Sequence, residues 1–213
     1  MIRTRDLATG GIVAVLAIAS AVYASQLPSE LAVHFDSAGE PNNFVQAELF
    51  LAGNVLLAAG VAVLFAVLPR VDPLGENVAE FQTVYDGFVV ATVAFVGYIH
   101  GLVIAYNLGY EFGILEATVP ATAVLYLLLG PLIYRAEQNW FVGIRTPWTL
   151  SDERVWKQTH RHTAPLFALA GVLALGGVLA PELAVLLLTV PPTVIAVGSA
   201  LYSFVLYRRF NPA

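Results

Sequence analysis

Asp86–Tyr106 reads DGFVVATVAFVGYIHGLVIAY. After its first residue this run carries no formal charge, and only His100 can titrate near neutral pH. At 1.5 Å of rise per residue, about 20 such residues cross a hydrocarbon core of about 30 Å. Five more runs of that kind lie on either side of it: Leu7–Ser25, Ala47–Leu68, Ile114–Tyr134, Thr163–Ala180 and Leu183–Tyr207. The chain of 213 residues is 58% hydrophobic and 12% charged, against about 25% charged for a soluble domain. Lipid leaves open backbone groups unsatisfied, and the alternation of barrel strands is missing, so the spans are helices. The expected fold is an all-α integral membrane protein, a bundle of six transmembrane helices. Gly97-x-x-x-Gly101 offers a close-approach face in the third span. Pro120 and Pro191-Pro192 remove donors inside spans four and six and are expected to bend them.

The ten basic residues orient this bundle. With the N-terminus inside, the inner segments hold Arg3, Arg5, Arg70, Arg135, Arg145, Arg154, Lys157, Arg161, Arg208 and Arg209, and the outer loops hold none. Positive residues stay cytoplasmic in short loops, so the expectation is N-in and C-in, in the cell membrane. Arg3 and Arg5 ahead of an apolar run also have the look of a signal peptide, but retention is the expected outcome. Cysteine is absent, which excludes thiol chemistry. The cations are spread over several loops, so direct contact with nucleic acid is not expected.

All three tryptophans fall in the inner loop between spans four and five, which continues NWFVGIRTPWTLSDERVWKQTHR over 139–161. Gly143 and Pro147 favour a fixed turn. Thr149 with Asp152 three positions later has capping-box spacing. A short helix is expected to follow, with Asp152 and Glu153 in its first turn, where the dipole favours anions. That helix would lie at the interface, with Trp156 among the headgroups and Arg154, Lys157 and Arg161 towards water or anionic lipid. Trp140 and Phe141 fit an aromatic belt. Arg145 beside the turn offers a planar fork for a carboxylate or phosphate. Interfacial tryptophans and inner arginines are ordinary in membrane proteins. The density of Asn, Gly, Arg, Pro and Trp here instead argues for a specified backbone.

The same residues resemble the signature of the SdpI family of bacterial immunity proteins. The positions that carry the resemblance are Asn139, Phe141, Gly143, Arg145, Thr146, Pro147, Trp148, Thr149, Trp156, His160 and Arg161. The outer loop, through Pro28, His34, Phe35, Gly39 and Pro41, resembles the DUF1648 region found ahead of such proteins. The expected division is a DUF1648-like helical hairpin with its outer loop at 1–68, the third span and its connections at 69–113, and an SdpI-like region at 114–213. The resemblance implies resistance to a secreted antimicrobial peptide. It also implies signal transduction, in which the protein sequesters a cytoplasmic repressor. The implied partners are therefore the lipid bilayer, an extracellular toxin peptide and a cytoplasmic repressor. No oligomeric state follows from the sequence.

In the outer loop, Asp36-Ser-Ala-Gly39 reads as a turn in a hairpin-like loop, with Asn43 and Gln46 capping the second span. His34, Asp36 and Glu40 match no closed zinc spacing, so no metal and no cofactor are expected. Within the bundle, His100, Glu116 and Asn54 are the notable polar groups. His100 and Glu116 either pair or stay apart, with Glu116 at the outer interface and His100 a satisfied core histidine. Asn54 is read as packing glue. An alternative function, a small transporter or exporter of a peptide or lipid-like solute, would use these groups. An enzyme is not expected: the chain has no HExxH, no GxSxG and no positioned nucleophile–base pair.

Overall fold

The computed structural model describes residues 3–212. Its elements in chain order are α1 (Thr4–Tyr23), β1 (Glu30–Phe35), β2 (Pro41–Gln46), α2 (Ala47–Val71), α3 (Gly75–Glu80), α4 (Gln82–Asn107), α5 (Ile114–Arg135), α6 (Pro147–Ser151), α7 (Glu153–Leu179) and α8 (Ala184–Phe210). A single 3-10 turn, Pro181–Leu183, leads into α8. The helices α1, α2, α4, α5, α7 and α8 are long and apolar enough to cross a membrane. Their outer faces carry large apolar side chains open to the surroundings, such as Leu56 at 70% and Leu201 at 64% exposure. A bilayer, not a protein core, covers such faces. The protein is an all-α, multi-pass membrane bundle.

Two groups of three helices make up the bundle. α1, α2 and α4 pack on one another, α5, α7 and α8 do the same, and α4 against α5 joins the groups. The closest approach is between α5 and α7. A Cβ on Gly171 would lie 2.9 Å from the backbone carbonyl oxygen of Ala123, and one on Gly130 would lie 3.1 Å from that of Ala164. Small residues let membrane helices meet backbone to backbone, where dispersion replaces the hydrophobic effect as the driving force. The expected glycine face in α4 is used only in part. Leu16 of α1 fills the space over Gly97, while Gly101 faces open space.

Two expectations about the elements need correction. The loop between α1 and α2 is a true antiparallel hairpin, with Glu30 opposite Gln46, Leu31 opposite Val45 and Ala32 opposite Phe44. Asn43 belongs to β2, and Gln46 stands at the N-cap of α2 without a side-chain bond, so neither caps the second span. The short interfacial helix does not exist as a separate element. Residues 153–162 are the first turns of α7, whose 27 residues make about 40 Å of helix, more than the bilayer core requires.

Candidate functional site

The loop between α5 and α7 folds into a compact platform built around Asn139, which is fully buried. Its side-chain amide donates to the carbonyls of Glu137 at 2.8 Å and Val142 at 2.9 Å. Its side-chain oxygen accepts the amides of Phe141 at 2.9 Å and Val142 at 2.6 Å. Both ends of one side chain thus hold a tight turn, which is why Asn suits this position. Gly143 follows with φ +117°, a backbone conformation that side chains rarely adopt, and a Cβ there would collide with His160 Nε2.

His160 and Trp156 lock this turn onto α7. The N–H of Ile144 donates to His160 Nε2 at 3.0 Å, so Nδ1 carries the ring proton and donates to the Trp156 carbonyl at 2.9 Å. The two rings stack, 4.0 Å apart and 18° from parallel. Trp156 is fully buried, and its indole N–H donates to the carbonyl of Ala136 at 2.8 Å. This overturns its expected place among the headgroups. The exposed residue at the start of the loop is Trp140. With both ring nitrogens of His160 engaged, the ring has no free position for proton transfer.

The expected capping box is also displaced by three residues. Thr146 and Thr149 form it across α6, with reciprocal bonds of 3.2 Å and 2.9 Å. Asp152 instead caps α7, accepting the Arg154 amide at 2.9 Å. The Arg154 guanidinium and the Asn211 side chain also reach Asp152, and the hydrogen bond from Arg154 is the main reason its carboxyl is held well below the usual carboxylate range. Thr146 Oγ1 meets Ser203 Oγ of α8 at 3.0 Å, and the Trp148 ring lies 5.0 Å from that of Phe204.

Residues outside the loop complete the platform, and the sequence pattern did not single them out. Asp72 accepts the amides of Trp140 and Leu74. Asn77 donates to the carbonyl of Gln138, whose own amide reaches the carbonyls of Thr149 and Leu150. The loop is thereby tied to the α2–α3 connection, to α7 and to α8. The side chains it leaves exposed are those of Trp140, Phe141, Arg145, Pro147 and, on the adjoining helix, Arg161. Arg145 donates to the Trp140 carbonyl at 2.7 Å, which holds part of its fork and leaves the rest exposed.

The other sequence-selected residues lie far from this platform. His34 and Phe35 end β1, and Gly39 turns the hairpin at φ +82° before Pro41 opens β2. Pro28 is exposed on the approach to β1, and the His34 ring meets the Asn42 side chain at 2.6 Å. His100 does not meet Glu116. It contacts Ser20 of α1 at 3.1 Å and Asn54 of α2 at 3.3 Å, and Phe50 stacks on its ring. Glu116 lies exposed in the first turn of α5.

Residues 135–205 match the SdpI/YfhL protein family, and residues 11–58 match DUF1648, a domain of unknown function. Immunity protein SdpI of Bacillus subtilis (strain 168) is 32% identical over 106 residues. The C-terminal third of the chain is thus similar to the SdpI/YfhL family. The aligned part is 49% of this chain and 51% of that relative, so the chain spans about half the length of the curated relative it matches. No solved structure matches the chain. The whole platform loop from Asn139 to Arg161 lies in the SdpI/YfhL region, and the hairpin lies in the DUF1648 region. Asp72, Asn77, His100 and the rest of α4 fall between the two.

Proposed function

We propose that this chain is a membrane immunity protein of the SdpI type that confers resistance to a secreted antimicrobial peptide, with the hairpin outside and the platform in the cytoplasm. The observation that carries this reading is the platform itself. The matched loop is fixed by buried bonds yet leaves Trp140, Phe141 and Arg145 exposed. Exposed aromatic and arginine side chains on a fixed backbone are the usual anchors of a protein contact. A cytoplasmic repressor captured there would couple the outer event to transcription. The confinement of every Lys and Arg to the platform end supports the N-in and C-in arrangement.

The test uses a Bacillus subtilis strain deleted for its own immunity protein and challenged with spent medium of the parent strain. Expression of this chain restores growth, and Arg145→Ala and Trp140→Ala abolish the rescue at equal membrane abundance. Full rescue by both variants would remove the platform from the mechanism.

A further inference from the structure

One edge of the hairpin is closed and the other is open. Asn107, the last residue of α4, donates its side-chain amide to the Ala32 carbonyl at 3.0 Å, and its side-chain oxygen accepts the Ala32 amide at 2.9 Å. The outward N–H and C=O of Ala32, in the middle of β1, are therefore both satisfied. In an antiparallel pair, directly opposed residues either exchange hydrogen bonds or both turn their peptide groups outward. Ala32 turns outward, so its partner Phe44 turns its N–H and C=O to the opposite edge. No side chain among the described residues bonds that edge, and the Phe44 ring is 54% exposed. Exposed strand edges are templates for a further strand unless something blunts them; Pro41 and the register shift after Ala32 blunt the turn end of this one, which leaves the lysine-free stretch around Phe44 open.

Charge selects the occupant. Glu30, Asp36, Glu40 and Glu48 surround the hairpin and are exposed, and none forms an ion pair among the described residues. The sequence holds no Lys or Arg between Arg5 and Arg70. A second copy would bring the same carboxylates face to face across a shared sheet, which like-charge repulsion opposes. An extended segment rich in lysine or arginine meets both requirements: its backbone completes the ladder and its side chains reach the carboxylates.

We propose that the β2 edge at Phe44 receives an extended cationic peptide by strand addition, with Glu30 and Glu48 at one end of the edge reading its positive charge. This deepens the immunity reading and rests on it for the identity of the peptide, but not for the binding mode.

The experiment uses the full chain in nanodiscs of neutral phosphatidylcholine and a fluorescent octapeptide of alternating lysine and valine. Anisotropy titrations are run with that probe, with its glutamate–valine counterpart, and with a lysine–valine probe N-methylated at alternate residues. The cationic probe binds, binding weakens with added salt, and the glutamate probe does not bind. Backbone methylation and Phe44→Pro each weaken binding by about tenfold, the value of roughly one backbone hydrogen bond. Proline is tolerated there because the N–H it removes points away from β1. The double variant Glu30→Gln/Glu48→Gln also weakens binding. Absence of binding, equal binding of the methylated probe, equal binding by Phe44→Pro, or a hairpin-dependent dimer in place of the peptide complex would each overturn the proposal. Rescue of the deleted strain is scored alongside. Probe binding without rescue removes the immunity reading alone, and rescue without probe binding removes the strand-addition mode alone.

Discussion

His160 Nε2 accepts the backbone N–H of Ile144 at 3.0 Å, across sixteen positions of chain. That bond joins the turn of the platform loop to the first turns of α7 and forces the Nδ1–H form of the ring. His160→Phe keeps a ring to stack on Trp156 but leaves the Ile144 amide without its acceptor. Loss of one partner of a largely enclosed hydrogen bond costs about 1–3 kcal/mol. The expected result is faster amide exchange at Ile144 and lower thermal stability, with the spanning helices intact by far-ultraviolet circular dichroism.

Gly143 and Gly109 separate strain from collision. Both have positive φ, +117° and +86°, but only Gly143 has a neighbour where a Cβ would go, namely His160 Nε2. An alanine at Gly109 therefore carries only the backbone strain, of about 1–3 kcal/mol. Gly143→Ala carries that strain and must also displace His160. Thermal unfolding in detergent should rank Gly143→Ala well below Gly109→Ala. Equal losses would mean that His160 yields freely and does not hold the turn.

Asp152 makes the platform insensitive to mild acid. Its carboxyl is held well below the usual range, first by the hydrogen bond from Arg154. A depressed carboxylate contributes stability that is fully present above its unfolded pKa of about 3.9 and is lost only as pH falls through the lower folded value. Between pH 8 and pH 5 the contact from Asn211 to Asp152 should therefore be unchanged. Amide chemical shifts of Arg154 and the side-chain signals of Asn211 check this. With the titration carried on to pH 3, movement of both with a midpoint near the ordinary value of about 3.9 would mean that Asp152 titrates normally. Asp152→Asn retains a cap acceptor but loses the ion pair, so its C-terminal segment should become more mobile.

Asn107 predicts the behaviour of the hairpin. Asn107→Ala leaves the Ala32 N–H and C=O without their partner, while the ladder to β2 is untouched. The amide of Ala32 should exchange faster by at least tenfold, equivalent to about 1.4 kcal/mol, and the amide of Val45, which faces β1, should change much less. Equal acceleration at both would mean that Asn107 anchors the whole hairpin.

The spans were legible because each needs only length and apolarity, and both survive in a linear reading. The platform was legible in part. The sequence marks Gly143 and Pro147 as turn residues and Thr149 as a cap residue, but it does not show that Asn139 holds the turn or that Trp156 is swallowed by the bundle. Trp156 carries the same composition signal as an interfacial tryptophan. What decides its burial is the continuation of α7 below residue 163, which sets that face against Ala136 and Leu132. Asp72, Asn77 and Asn107 were invisible for a related reason. Each acts on a backbone group more than sixty positions away, and no local pattern records such a partner. Arg5 is the plainest case: read as a loop or signal-peptide cation, it is buried against Asp86 of α4.

His100 distinguishes a structural tie from a working group inside the membrane. Its ring lies between Ser20 and Asn54 and so links α1, α2 and α4 at one point. The Asn54 amide donates to Nδ1, and Nε2–H then donates to the Ser20 oxygen, which uses the neutral ring completely. His100→Leu removes both bonds and preserves bulk. Interhelical bonds of this kind contribute about 0.6–2 kcal/mol, so the variant should lose that much stability. Rescue of the deleted strain should survive at equal abundance, because platform and hairpin remain in place. Loss of rescue with unchanged stability would instead make the His100 cluster part of the activity. That outcome would favour export of the peptide over its recognition.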